Sequence, residues 1–458
     1  VASSPCIKRF FPHLGANHFV CVCNSTYCDE YEEPRNHPGT AVIYSSSESA
    51  DRMVMRTARV SKRRRNTGVQ GRIELNTRVT YQEIIGFGGA FTDAAGINIA
   101  SLSETTRERL MQTIFGRKGE RIPLIHRALN LTGGDLRLFS SPWSAPAWMK
   151  STGKMEGPGW LRRGMEGAWA KYFVRFFEEY LSHGVSFWAT TVQNEPALGG
   201  IYLLRCNKRP RHENTHSNFV ANHFGPSLAA SNASKNVKII ALDDSRFWLP
   251  WWANVVYSDP VASSFISGVG IHWYFDAVAP VSKLTATHKA HPEKFILATE
   301  ASSGWVPMFR GPVLGEWARA EEYARSIIED LNTFVAGWTD WNMALNPKGG
   351  PTWAGNFLDS PIIVNATADE FLKQPTHYAM AHFSRFIRPG AKRVKSTTFG
   401  IDNKRVMHTA FVFKGKRIVA ILNRLTYAQK ITIDEPTRTS ISLKLAPKSI
   451  TTVVWKKR

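Results

Sequence analysis

Between about residue 84 and residue 341, short apolar runs alternate with amphipathic stretches, and this alternation restricts the chain more than any other feature. The strand candidates are Ile84–Ala90, Leu136–Ser140, Val185–Val192, Val237–Leu242, Val269–Tyr274, Phe295–Thr299 and Val335–Trp341. Short runs rich in β-branched and aromatic residues read as strands buried on both faces of a parallel sheet. The helix candidates between them are Ser103–Ile114, Gly167–Ser182, a stretch near 213–229 and Ala318–Leu331. Strand and helix in alternation are the mark of βα units. A closed (β/α)8 barrel needs eight strands. Seven are legible, and the gap lies after the first, where Gly116–Asn130 reads as a loop followed by a helix over Ile122–Leu129. The expected fold is therefore α/β: a TIM-type barrel over residues 81–384 whose second strand is missing.

The flanks have a different texture. Residues 31–80 carry Pro, Ser and Gly clusters and then alternating stretches such as Gly71–Leu75, which suit a half-exposed sheet. Alternation returns after residue 385, in Arg405–Phe413, Arg417–Leu422, Lys430–Ile433, Ser440–Leu445 and Thr451–Trp455. Residues 31–80 and 385–458 are expected to share one composite β-sandwich.

Residues 1–30 hold Cys6, Cys21, Cys23 and Cys28, and read as an extended segment stapled by disulfides. Four cysteines allow three pairings, and the spacing does not choose among them. His13 and His18 lie between the first two cysteines but do not form a zinc-finger spacing, so bridges in an oxidising compartment are preferred to a metal. Cys206 is left as a free thiol. Asn24, Asn130, Asn232 and Asn365 each open a glycan acceptor triplet, which fits a secretory route. No charged-apolar leader opens the sequence, so it reads as a mature form. No apolar run reaches the roughly 18 residues that span a bilayer.

The formal charge of +21 favours anionic partners. Its one dense run, Lys62–Arg65, reads as a solvated loop, and no nucleic-acid-binding module accompanies it. Nucleic acid is therefore excluded as a partner. The run Phe247–Trp252 follows a strand candidate and reads either as the start of a buried helix or as a segment that dips into a lipid interface.

Two carboxylates close strand candidates. Glu195, within Asn194-Glu195-Pro196, follows Phe187–Val192, and Glu300 follows Phe295–Thr299. A charged residue at the carboxyl end of a barrel strand marks a catalytic position. Two glutamates so placed are what glycoside hydrolysis requires. Gly86-Phe87-Gly88-Gly89 fits neither phosphate-binding spacing and reads as a tight end to the first strand. No metal-ligand motif appears, and no cofactor is expected.

The ordered stretches Cys21–Cys28, Gly86–Ala90, Ser141-Pro142-Trp143, Asn194-Glu195-Pro196, His272-Trp273-Tyr274, Gly337–Asn342, Asn346–Trp353 and Asp359–Val364 resemble the glucosylceramidase (lysosomal acid β-glucosidase) family, retaining glycoside hydrolases of clan A. The resemblance runs from Cys6 nearly to the end of the chain. It implies hydrolysis of the β-glucosyl bond of glucosylceramide in a membrane surface, in the lysosome or outside the cell. Acidic lipids and a saposin-type activator are the partners it suggests. Glu195 matches the family's acid/base and Glu300 its nucleophile. Charged Glu300 is expected to make Glu195 harder to ionise, since like charges disfavour each other. Asn194 matches the contact to the sugar 2-hydroxyl, and Trp143 and Trp341 match glucose-contacting tryptophans. Tyr274 and His272 match site residues beside the carboxylates. Tyr202, placed by its offset from Cys206, and Asn356, in a rim loop, complete the expected substrate contacts.

The resemblance fails between the first βα unit and Ile122–Leu129, where the family has a strand and a long loop and this chain has only Gly116–Arg121. In the family that segment supplies an arginine near the nucleophile and an aspartate that holds glucose hydroxyls. Neither has a counterpart here, so turnover well below that of the relatives is expected. Two alternatives follow: a catalytically inactive homologue that binds glycolipid or a partner, and a related barrel hydrolase of other β-glycosides such as xylan.

Overall fold

The computed structural model describes residues 4–31, 38–62, 71–115, 124–155, 159–197, 212–435 and 439–456. The chain forms two units. One is nearly continuous, Phe115–Glu300 with Thr333–Val335. The other is assembled from Val1–Ile114, Ala301–Asn332 and Ala336–Arg458.

The continuous unit is built on five parallel strands in chain order: Phe139–Ser140, Ala189–Thr191, Lys238–Ser245, Ile266–His272 and Phe295–Glu300. The helix Glu166–Ser182 connects the first two. Its buried residues Trp169, Ala170, Phe173 and Phe177 recur at helical spacing, which is why this face packs inward. The stretch expected near 213–229 is three helical pieces, His212–Phe219, Val220–Phe224 and Gly225–Ala230. Trp251–Ser258 and Pro260–Phe265 precede the fourth strand, and Ser282–Ala290 precedes the fifth. Ala189, Ile240 and Leu297, from three of the strands, form one buried apolar cluster.

The third strand differs from its expectation. The apolar run stops at Leu242, but the strand continues through Asp243, Asp244 and Ser245, all buried. Leu242 and Asp243 have φ of 66° and 58°, and the register with the fourth strand shifts between Leu242 and Asp244. This is a β-bulge, a device that re-aims side chains and often sits beside active sites.

In the other unit, Gly86–Gly89 is itself a strand, paired in parallel with Val335–Asp340. No strand falls between Gly86–Gly89 and Phe139–Ser140 among the described residues, and residues 116–123 lie outside them. The helix expected over Ile122–Leu129 is Leu124–Leu131. Seven parallel strands are thus described, five in one unit and a pair in the other. Phe139–Ser140 and Gly86–Gly89 each carry a strand on one side only among the described residues.

A ten-stranded sheet joins Thr40–Ser47, Val54–Arg59, Ser61–Lys62 and Gly71–Glu83 to six strands after residue 391. Gly71–Glu83 lies between Lys392–Phe399 and Gln429–Asp434. Ile73, Leu75, Val419, Ile421, Ile431 and Trp455 share its buried cluster. Burial stabilises each such side chain by roughly 1.5–3 kcal/mol.

The N-terminal cysteines pair as Cys6–Cys21 and Cys23–Cys28. The segment they staple does not stand alone. Phe19–Asn24 pairs with Glu370–Lys373, which pairs in turn with Ile362–Asn365. Asp29 is buried there with Lys373 Nζ at 2.7 Å and accepts a hydrogen bond from the Tyr378 hydroxyl at 2.9 Å. Among the described residues no helix is long and apolar enough to cross a membrane.

Candidate active site

Both predicted carboxylates sit where their strands end in the continuous unit. Glu300 is the last residue of its strand, and Glu195 follows Ala189–Thr191 by four residues. Glu195 has φ of 45°, the left-handed region that L side chains seldom adopt, and its N–H donates to the Asp243 carbonyl at 2.9 Å. One carboxylate oxygen from each glutamate and one His272 ring nitrogen lie within 4.8 Å of one another. The Tyr274 hydroxyl donates to Glu300 Oε1 at 2.7 Å.

Burial is the largest influence on Glu300 and pushes its pKa up to about 7. The Glu195 charge adds to the rise, while His272 and the Tyr274 hydroxyl oppose it. Glu300 is the more deeply buried member of the pair, with 8% of its side chain exposed against 21% for Glu195.

His272 binds the cluster together. Its Nδ1 lies 3.0 Å from Glu195 Oε1, its Nε2 lies 3.2 Å from Asp243 Oδ1, and Glu300 Oε2 is 4.0 Å from Nε2. Burial alone would hold this imidazole neutral. Glu300, Asp243 and Glu195 together outweigh burial and hold its pKa well above the ordinary histidine value. Both ring nitrogens thus face carboxylates as donors, whereas a metal would need a deprotonated nitrogen. The arrangement is an imidazolium among acids.

Asp243 is the residue that sequence reasoning missed. Its Oδ2 accepts from Ser141 Oγ at 2.5 Å, and its Oδ1 accepts from Thr299 Oγ1 at 2.6 Å and faces His272. These donors hold its pKa below the usual carboxylate value despite complete burial. Gly270 keeps the space open, since a Cβ there would stand 2.8 Å from Thr299 Oγ1 and 3.0 Å from Asp243 Oδ1. Asp244 accepts from the Ala197 N–H at 2.9 Å, and burial raises its pKa to about 6. In a regular strand two successive side chains point to opposite faces. The bulge lets both serve the Glu195 turn. The signal was present, because Asp243-Asp244 closes an apolar run just as Glu195 and Glu300 do.

The other expected contacts divide. Asn194 sits beside Glu195, its N–H bonded to the Pro142 carbonyl at 3.0 Å. Its Oδ1 is buried without a hydrogen-bond partner among the described residues. Trp143 is exposed over much of its ring, and its carbonyl accepts from Gln193 Nε2 at 3.0 Å. Trp341 and Asn356 belong to the other unit. Trp341 packs partly buried against a cluster containing Val20 and Ile363, and Asn356 is exposed. Tyr202 and Cys206 lie outside the described residues. Of the glycan acceptors, Asn130 and Asn232 are exposed, while Asn24 and Asn365 are half-buried.

Two carboxylates this close, one buried and one more open, can attack a carbon and protonate the oxygen leaving it. Known proteins share this build. The sequence model of the glycosyl hydrolase family 30 TIM-barrel domain matches residues 119–387, and that of the family 30 β-sandwich domain matches residues 390–453. A Caenorhabditis elegans protein named "Putative glucosylceramidase 3" is 40% identical over 505 aligned residues, covering 100% of this chain and 96% of that protein. Mouse lysosomal acid glucosylceramidase is 35% identical, covering 100% of this chain and 96% of its own. The solved structure of SrfJ from Salmonella typhimurium superposes with a TM-score of 0.81 at 26% identity, covering 92% of this chain and 100% of that one. An alignment of 505 positions against 458 residues leaves several dozen positions of the nematode protein without a counterpart here. The chain belongs to glycosyl hydrolase family 30, and it is a glycosidase built from a TIM-type barrel and a β-sandwich.

Proposed function

We infer that this glycosidase hydrolyses the β-glucosyl bond of glucosylceramide, releasing glucose and ceramide with retention at the anomeric carbon. The observation that carries the mechanism is the approach of Glu195 and Glu300 oxygens to within 4.8 Å. Retaining glycosidases hold their carboxyl groups about 5–5.5 Å apart, whereas inverting ones leave room for a water between them. A Glu300 oxygen attacks the anomeric carbon, the bond to the ceramide oxygen breaks, and Glu195 delivers its proton to that oxygen. Glu195, now a carboxylate, takes a proton from water as the water oxygen attacks the same carbon. Glu300 then leaves as a carboxylate.

Burial raises the Glu300 carboxyl to about 7, so the attacking group gains charge as pH rises toward that value. The Tyr274 hydroxyl favours charge on Glu300, and Asn194 Oδ1 faces the sugar 2-hydroxyl. Trp143 and His272 bind substrate beside this pair. The full-length likeness to glucosylceramidases supports the lipid substrate over xylan and the lysosome as the compartment. Acidic lipids and a saposin-type activator belong to the same reading. Turnover below that of the relatives belongs to the same reading, because the stretch between the first strand's helices and Leu124 is short in this chain.

Incubation with a cyclitol epoxide that mimics glucose, followed by peptide mapping, tests this reading. An ester on Glu300 and ceramide release from glucosylceramide are expected. Labelling elsewhere, or none together with no release, would overturn it.

A further inference from the structure

Charge is spread unevenly along this chain. Residues 391–458 hold sixteen Lys and Arg against three Asp and Glu, so thirteen of the net +21 charges belong to the carboxyl-terminal strands of the β-sandwich. Two of those acids are engaged inside the fold. Glu435 is buried in an ion pair with Arg417 at 3.0 Å, and Asp434 is buried and accepts from Ser440 Oγ at 2.7 Å. Asp402 is exposed, and its side chain stays within its own turn, accepting from the Lys404 N–H at 2.9 Å. The surface of these strands therefore presents cations with little acid among them.

One face concentrates the imbalance. In the antiparallel pair Gln429–Asp434 and Thr439–Leu445, Lys430 stands directly opposite Lys444, and both are exposed. Ile431, Ile433, Ile441 and Leu445 belong to the buried cluster, so strand alternation turns both lysines outward. Like charges directly opposite one another destabilise a sheet. On the next strand Arg72 pairs with Thr432, two residues along from Lys430, and with Phe399 on its other side. Two residues of strand is about 7 Å, so Arg72 shares the outward face with the lysines a short step away. Its guanidinium lies 4.3 Å from the centre of the Phe399 ring, which is 45% exposed. Glu74, half-buried and 3.6 Å from Arg72, is the carboxylate beside this group.

We propose that Arg72, Phe399, Lys430 and Lys444 form a binding face for a sulfated glycan chain. The facing lysine pair weakens the free sheet, and an anion laid across both side chains relieves the repulsion. Sulfates spaced along a sugar backbone meet Lys430, Lys444 and Arg72 in turn, while a sugar ring lies on the open part of Phe399. A bilayer is the poorer match. The large apolar side chains exposed in residues 391–456 are Phe399 and Tyr427, too few for an insertion edge. The two disulfides belong to oxidising compartments outside the cytosol, where sulfated glycans are abundant polyanions and nucleic acids are not. The face belongs to the other unit from Glu195 and Glu300, so it tethers the protein without engaging the catalytic pair. It does not depend on the glucosylceramide reading.

The test is salt-gradient elution of the full chain from immobilised heparin and from a sulfopropyl exchanger, with affinity for a heparin oligosaccharide measured alongside. Wild type should need more salt to leave heparin than to leave the exchanger. Lys430→Ser with Lys444→Ser should weaken oligosaccharide binding about tenfold, the worth of one charge-assisted contact. Both lysines are exposed, so circular dichroism and turnover of a soluble aryl β-glucoside should stay as in wild type. Lys171→Ser with Lys289→Ser removes the same charge from exposed sites in the continuous unit and should leave heparin with wild type. The proposal is overturned by wild type that leaves both columns at the same salt, by a Lys430/Lys444 variant that binds the oligosaccharide like wild type, or by two double variants that weaken equally, which would reduce the effect to net charge. It is also overturned if the Lys430/Lys444 variant loses binding to phosphatidylserine vesicles and keeps its binding to heparin.

Discussion

Replacing Glu300 with Gln should abolish turnover and yet make the protein more stable, and the gain should depend on pH. Burial raises the Glu300 pKa from 4.5 to about 7. Below pH 4.5 the group is protonated in the folded and unfolded chains alike, and its ionisation has no effect on stability. Between 4.5 and 7 the unfolded chain releases the proton and the folded chain keeps it, so stability falls as pH rises. Above 7 the deficit is complete. A tenfold change in proton affinity is worth about 1.4 kcal/mol, so the full deficit is about 3 kcal/mol. The side chain is almost wholly shielded from solvent, so screening by water takes little from that figure. Gln imitates the protonated form and still accepts the Tyr274 hydroxyl. Urea unfolding followed by tryptophan fluorescence should give matching free energies for E300Q and wild type at pH 4. At pH 8 the variant should lead by about 3 kcal/mol. Equal stabilities at pH 8, or a larger gap in acid, would refute burial as the cause of the raised pKa.

Other substitutions probe the remaining contacts. Asp243→Asn removes the charge facing His272 Nε2 and should lower kcat/KM on an aryl β-glucoside about ten- to a hundredfold, the worth of one charge-assisted hydrogen bond. The variant's circular dichroism should be unchanged, and its pH–rate profile should narrow as His272 loses its proton earlier. Tyr274→Phe deletes the donor to Glu300 and should push that carboxyl further up, moving the ionisation limb of kcat/KM to higher pH. Arg246→Met leaves the Asp276 carboxylate buried without its partner and should cost about 3–5 kcal/mol in urea unfolding.

The strand positions were legible because the strands of the continuous unit are continuous apolar runs, which leave a mark independent of tertiary context. The carboxylate pair was legible for the same reason, as charge at the end of such a run. Asp243 carries the same mark at the end of its run, but its role lies in contacts with Ser141, His272 and Thr299, none of them near it in sequence. The bulge that aims it is written in backbone angles, not in residue type, since neither Leu242 nor Asp243 is glycine. The hairpin Ile362–Lys373 escaped in a similar way. Its turn passes through Asp369 at φ of 48°, a left-handed position that Asp tolerates and that carries no glycine signal. Pairing of Phe19–Asn24 with that hairpin joins residues more than three hundred positions apart, and local pattern carries no trace of it.

The seating of Gly71–Glu83 between Lys392–Phe399 and Gln429–Asp434 has a consequence for synthesis. This long strand leaves the ribosome early and waits, with both flanks bare, until nearly the whole chain has been made. The barrel strands between them emerge and collapse first, so the nascent protein carries an open template for intermolecular pairing throughout elongation. A premature stop before residue 392 would leave that template permanently uncovered, and such truncated products should accumulate as aggregates even though Glu195 and Glu300 have already been translated.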